Sequence, residues 1–241
     1  MQRLFLVICM SALLLTSAAA SATPLRVAVA ANFATTARSL GSTFEAASGQ
    51  RVEFSVASTG VLVSQILHGA PFDVFLSADA EGPGLLASND KAVRGSQFCY
   101  AAGKLVLLGG TLQDLQSPDK SLAVANPTTA PYGRAAFEVL AREPFNVAGE
   151  RRLLRGSNVL QAYQFWTSGG ADLALVAASI AGGNGIEIPA EWHAPIEQHA
   201  TLLSGGRDNP AASEFLAFLA SSDVETAIVA AGYRRCCLLY T

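Results

Sequence analysis

The segment Leu25–Leu76 constrains the fold most. Three short runs of strand type, Arg26–Ala30 (RVAVA), Arg51–Val56 (RVEFSV) and Val74–Leu76, are separated by two stretches of helical period. In the first stretch Leu40, Phe44 and Ala47 fall on one face, and Gly49 marks the stop. The second stretch, Val61–Leu67, is closed by Gly69 and Pro71. Strands alternating with helices in this way predict a parallel sheet with helices on both faces.

The pattern then restarts. Phe98–Leu108 is strand-like and interrupted at Gly103. Ser121–Ala125 and Leu173–Ala177 read as strands, Tyr132–Ala141 and Val159–Thr167 as helices, and Pro195–Leu203 as extended. Ala211–Ala220 and Val224–Ala231 read as two closing helices, stopped by Gly232. No linker, repeat or low-complexity stretch separates the units. The expectation is an α/β protein of two lobes, each a mixed, mainly parallel sheet flanked by helices. The chain should cross between lobes near Gly103 and near Gln198. Residues 23–102 and 205–241 are assigned to lobe 1 and residues 103–204 to lobe 2.

Residues 1–22 have another character. Arg3 is followed by the apolar run Leu4–Leu15 and then by small residues ending in Ala20-Ser21-Ala22. That order is a cleavable signal peptide, and the run is too short to span a bilayer. The exported chain should begin near Thr23. Cys9 lies too early for lipid attachment. Cys99, Cys236 and Cys237 remain, an odd number whose spacing matches no metal motif. They are read as structural or incidental.

Chemistry is sought at the strand ends, where α/β sheets bind ligands. Four junctions there are small, polar and uncharged: Ala31-Asn32-Phe33, Ala57-Ser58-Thr59-Gly60, Ala130-Pro131-Tyr132-Gly133 and Gly156-Ser157-Asn158-Val159. Each stands where a helix should begin. Free N–H groups and the helix dipole make such starts anion sites, and several together could hold a dianion without Lys or Arg. The same residue types are also ordinary helix caps, so the junctions alone leave both readings open. The formal net charge is −3 and no basic run occurs, which argues against nucleic acid and anionic membrane surfaces as partners.

The segments VAVAANF, FSVASTG, HGAPFDVFLSAD, NPTTAPYG and SNVLQA, in this order and spacing, resemble the periplasmic molybdate-binding proteins of ABC transporters. The resemblance covers roughly Leu25–Tyr233, and GAPFDVFLSAD is its most specific part. It implies a two-lobed periplasmic binding protein of type II with the ligand in the interlobe cleft. The implied ligand is molybdate or tungstate, a small inorganic oxyanion captured in the periplasm and passed to a membrane ABC permease by a monomeric carrier. The implied ligand residues are Asn32, Thr59, Tyr132 and Val159, with Ser58 assisting. Thr59 would give hydroxyl and backbone N–H, and Tyr132 and Val159 backbone N–H alone. Molybdenum would be held only as molybdate through these donors, with no cofactor and no side chain ligating a metal cation. Ala31 and Ala177 stand where some relatives place a Thr and a Tyr hydroxyl.

Other residues are assigned away from the ligand. Asp73 and Asp79 are read as structural, because an anion site should exclude carboxylates. His68, His193 and His199 have no metal-type spacing, and Trp166 and Trp192 are read as core. No nucleophile elbow, zinc helix motif or phosphate loop is present, so no enzymatic activity is expected. The alternatives are another oxyanion such as sulfate, or a secreted hydrolase using Ser58 or Thr59.

Overall fold

The computed structural model describes residues 23–147 and 151–236. The expected signal peptide, Cys9, Cys237 and the rest of the tail lie outside the described residues.

The first lobe opens with strand β1 (Leu25–Ala30), then helix α1 (Ala34–Ser48), β2 (Val52–Ala57), α2 (Thr59–Leu67), β3 (Val74–Ser77) and α3 (Glu81–Ser88). The alternation of RVAVA explains its central place. Leu25, Val27 and Val29 face one apolar cluster with Leu40 and Phe44 of α1, while Ala28 faces a second cluster with Leu62 and Ile66 of α2. Large residues on one side and small on the other let helices cover both faces. The buried face of α1 runs Ala37, Leu40, Gly41 and Phe44, whereas Ala47, expected on that face, is exposed in the last turn. Gly49 ends the helix at φ 72°, the left-handed conformation that glycine adopts at no steric cost.

The chain leaves this lobe through β4 (Phe98–Gly103) and runs into β5 (Leu105–Leu108) with only Lys104 between them. The second lobe follows with β6 (Leu122–Ala125), α4 (Pro131–Leu140), β7 (Leu153–Gly156), α5 (Val159–Thr167), β8 (Leu173–Ala177), α6 (Ala178–Ala181) and β9 (Ile186–Glu187). Then β10 (Ile196–Leu202) returns to the first lobe, and α7 (Pro210–Leu219) and α8 (Ser222–Ala230) close it.

The sheets have the orders β2-β1-β3-β10-β4 and β7-β6-β8-β5-β9. Each has three parallel strands at one side and antiparallel strands at the other. The expected boundary at 204 puts β10 in the second lobe. Its antiparallel pairing with β3 and β4 puts it in the first sheet, so the second crossing lies before Ile196. The crossing strands pair with each other and form a hinge flanked by Gly103 and Lys104.

The first lobe is held by aromatic packing. Phe33 lies 4.8 Å from Tyr100 and 5.4 Å from Tyr233 between ring centroids, and Phe44 lies 5.2 Å from Phe215. Truncating one such buried ring to Ala costs about 3–5 kcal/mol. After Tyr233, Arg234 exchanges two backbone hydrogen bonds with Ala102, each 2.8 Å. Cys236 is disulfide-bonded to Cys99 of β4, so these two of the three cysteines are structural. Trp166 and Trp192 pack on the core of the second lobe. Among the described residues no helix is long and apolar enough to cross a membrane.

Candidate functional site

Four chain segments meet between the lobes. The turn Ala31–Phe33 follows β1, and α2 begins directly after β2. From the other lobe come the starts of α4 and α5, the latter just past β7. Asn32, Ser58, Thr59, Tyr132 and Val159 all line one small cavity there, with Asn158 beside them. No Lys, Arg, His, Asp or Glu lines it.

Each start is built locally. Pro131 occupies the first position of α4, where its missing N–H is no loss. At α5 the Asn158 side chain accepts from the Gln161 N–H at 3.0 Å, and Gln161 Oε1 accepts from the Ser157 N–H at 2.6 Å. That reciprocal pair is a capping arrangement, so the Asn158 side-chain oxygen serves the helix. The N–H groups of Thr59, Tyr132 and Val159 stand in first turns and have no intrahelical acceptor. The positive ends of α2, α4 and α5 therefore converge on the cavity.

The side chains divide their duties. Ser58 Oγ is buried with no hydrogen-bond partner, and so is Tyr132 Oη. An orphaned buried hydroxyl costs roughly 1–3 kcal/mol unless a ligand or water meets it. Thr59 Oγ1 accepts the Ala78 N–H at 3.0 Å, which fixes its rotamer and leaves its own proton to donate. The amide of Asn32 is committed elsewhere. Its Nδ2 donates to Gln198 Oε1 at 2.7 Å and to Tyr233 Oη at 3.1 Å. The backbone carbonyl of Asn32 accepts from Tyr233 Oη at 2.9 Å and, across the lobes, from Ser179 Oγ at 3.0 Å. What Asn32 can offer the cavity through a donor is its backbone N–H.

Burial raises the Tyr100 phenol well above its ordinary pKa, helped by Tyr233 and Tyr132. Burial, then the neighbouring Tyr233, does the same to Tyr132. Burial also raises Tyr233, against hydrogen bonds from Ser179 and Asn32. All three rings therefore stay neutral near pH 7 and add no negative charge beside the cavity. The Tyr132 hydroxyl ends at the hinge. A Cβ on Gly103 would lie 2.2 Å from it, so the hinge must be glycine for this ring to reach.

The lobes touch next to the cavity. The Gly60 N–H donates to the Thr129 carbonyl at 2.8 Å, and Arg134 Nη2 meets Asp79 Oδ2 at 2.9 Å and Glu81 Oε2 at 2.8 Å. Asp79 also caps α3 through Oδ1, which accepts from the Gly82 N–H at 2.9 Å, and Asp73 Oδ2 accepts from the Arg26 N–H at 2.8 Å. Neither carboxylate lines the cavity, and neither does Ala177 or any histidine. Among the described residues no group of three His, Cys, Asp or Glu could hold a metal ion. Sequence reasoning missed Gln198 as the partner of Asn32. Its signal was readable, since Ile196, Gln198 and Ala200 alternate on the buried face and an amide there needs a partner. Tyr233 and Arg134 carried no such signal.

Comparison with known proteins agrees with this fold. The family model described as bacterial extracellular solute-binding protein matches residues 25–234. The chain is 40% identical to the molybdate-binding protein ModA of Azotobacter vinelandii over 234 residues, covering 91% of this chain and 93% of that one. It is 37% identical to the ModA of Rhodobacter capsulatus, covering 86% of each. The solved periplasmic molybdate-binding protein of Azotobacter vinelandii superposes with a TM-score of 0.81 at 32% identity, over 87% of this chain and 98% of that one. The sulfate-binding protein SubI of Mycobacterium tuberculosis is similar in fold, with a TM-score of 0.72 at 14% identity over 90% of this chain and 88% of that one.

Proposed function

We propose that this chain, which belongs to the bacterial extracellular solute-binding proteins, captures molybdate between its lobes and delivers it to a membrane ABC importer. The observation that carries the reading is the cavity itself. Helix starts from both lobes supply only N–H and O–H donors there, and no charged side chain competes. The site residues we assign are Asn32, Tyr132 and Val159 through backbone N–H, Thr59 through N–H and hydroxyl, and Ser58 through its unpartnered hydroxyl. Tungstate has the same charge and shape and should be taken as well. The periplasm is the compartment we assign, as for the periplasmic molybdate-binding protein of Azotobacter vinelandii.

Donor chemistry gives the selectivity. Molybdate, tungstate and sulfate are fully ionised near neutral pH and only accept hydrogen bonds. Hydrogen phosphate brings a proton that needs an acceptor, and leaving it unpaired costs about 1–3 kcal/mol. Sulfate is the smaller ion and would leave donors out of reach. A hydrolase reading fails on the same geometry, because Ser58 and Thr59 have no His, Lys or carboxylate in the cavity to act as base.

Calorimetry and thermal melting of residues 23–241 test the reading. Molybdate and tungstate should bind tightly and raise the melting temperature, as a ligand of the native state does, while sulfate and phosphate do so far less. Equal response to all four ions would sink the assignment.

A further inference from the structure

We infer that Arg134 is a latch holding the lobes closed over the ligand, a positioning residue that sets how fast the ligand leaves without touching it. The inference rests on the oxyanion reading above. Arg134 lies in the first turns of α4, close to Tyr132, yet it does not line the ligand cavity. It lines a neighbouring cavity of about 470 Å³ formed by both lobes. There its Nη2 bonds Asp79 at 2.9 Å and Glu81 at 2.8 Å, both on the opposite lobe.

Two features make this more than a surface ion pair. Asp79 is only 12% exposed and is already fixed, because its other oxygen caps α3. Little side-chain freedom is lost when Arg134 arrives. The surroundings are also acidic. Glu138 from the Arg134 lobe and Glu197 from the hinge strand line the same cavity. The Glu138 carboxylate is held by the Ala194 N–H at 2.6 Å, and Glu197 faces His199 at 3.2 Å. Without the guanidinium, closing the lobes would bring Asp79 and Glu81 towards Glu138 with no cation between them. Opening the hinge separates Arg134 from both partners, so the pair stabilises only the closed state. A contact made only when the lobes are closed slows release, which needs opening, more than it slows the first encounter.

The test uses the mature chain with molybdate. Release is followed by chasing bound radiolabelled molybdate with unlabelled ion, and affinity by calorimetry; their ratio gives the association rate. Arg134→Gln should release the ion about 3- to 5-fold faster, the upper end for an ion pair this exposed, with association changed less than about twofold. Arg134→Lys, which keeps the charge but not the fork, should fall between the two. Glu81→Gln should accelerate release in the wild-type background and add nothing in Arg134→Gln. Added salt should speed release from wild type and leave Arg134→Gln unmoved. The melting temperature without ligand should match wild type in all variants; if Arg134→Gln folds poorly, Arg134→Lys and Glu81→Gln carry the test. Wild-type release rates in Arg134→Gln, or affinity lost through slower association, would overturn the latch. Failure of wild type to bind molybdate at all would instead overturn the oxyanion reading.

Discussion

In the first lobe the residues facing the ligand cavity carry hydroxyls, Ser58 and Thr59, and a side-chain network of Asn32, Gln198 and Tyr233 holds the first turn in place. In the second lobe the facing residues are Tyr132 and Val159; the Tyr132 hydroxyl is unpartnered but ends at Gly103, and the donors we assign there are backbone N–H groups. The difference follows from how each start is made. At α2 the N-cap Ser58 makes no capping hydrogen bond, so its oxygen is free. At α5 the Asn158 side-chain oxygen is occupied by capping, and the donor we assign at this start is the Val159 N–H. One lobe should therefore be sensitive to side-chain chemistry and the other to backbone chemistry.

The sharpest way to break that contrast is proline at Val159. Val159→Pro deletes the N–H while the first helical position tolerates the ring. A hydrogen bond to a charged group contributes roughly 1.5–3 kcal/mol, so affinity for molybdate should fall about 10- to 150-fold by calorimetry. Circular dichroism must show the helix intact; a folded variant that binds like wild type would end the backbone-donor account.

Next come the two hydroxyls, which the structure separates. Ser58→Ala and Thr59→Val should each weaken binding about 10-fold or more. Without ligand they should diverge. Ser58 Oγ has no partner to lose, so Ser58→Ala should melt like wild type. Thr59→Val strands the buried Ala78 N–H and should cost about 1–3 kcal/mol in denaturant unfolding. Equal stabilities would mean that the Thr59–Ala78 contact is not maintained.

The smallest effect is expected from Val159→Ala, with affinity within about twofold of wild type. Its buried methyl groups belong to the core of the second lobe, so the loss should appear in stability instead. A large loss of affinity here would show that side-chain shape matters in both lobes and erase the contrast.

The repeated strand and helix pattern made the two α/β units readable, because apolar runs such as RVAVA and LALVA have no other stable use than a sheet covered on both faces. Helix α3 was missed because EGPGLLAS looks like a breaker sequence; it is held by the Asp79 cap and by burial of Leu86. Strand β7 was missed because it is short, at a sheet edge and only partly buried. The junction residues were legible as helix starts, but not the fate of each polar group. That Asn32 spends its amide on Gln198, 166 positions away, depends on how β10 returns to the first sheet. The Arg134 contacts span the two lobes for the same reason and have no local signature.

The bond between Cys99 and Cys236 has a topological consequence. Its ends are 137 positions apart, and it closes a covalent ring that contains every strand of the second sheet. One cut in the backbone anywhere within that ring, by a protease for example, severs the main chain but not the molecule. After a cut in the second lobe, the part bearing β1 to β3 and the part bearing α7 and α8 stay tethered through Cys99 and Cys236. A nicked carrier would then run as a single species until a reductant separates its pieces.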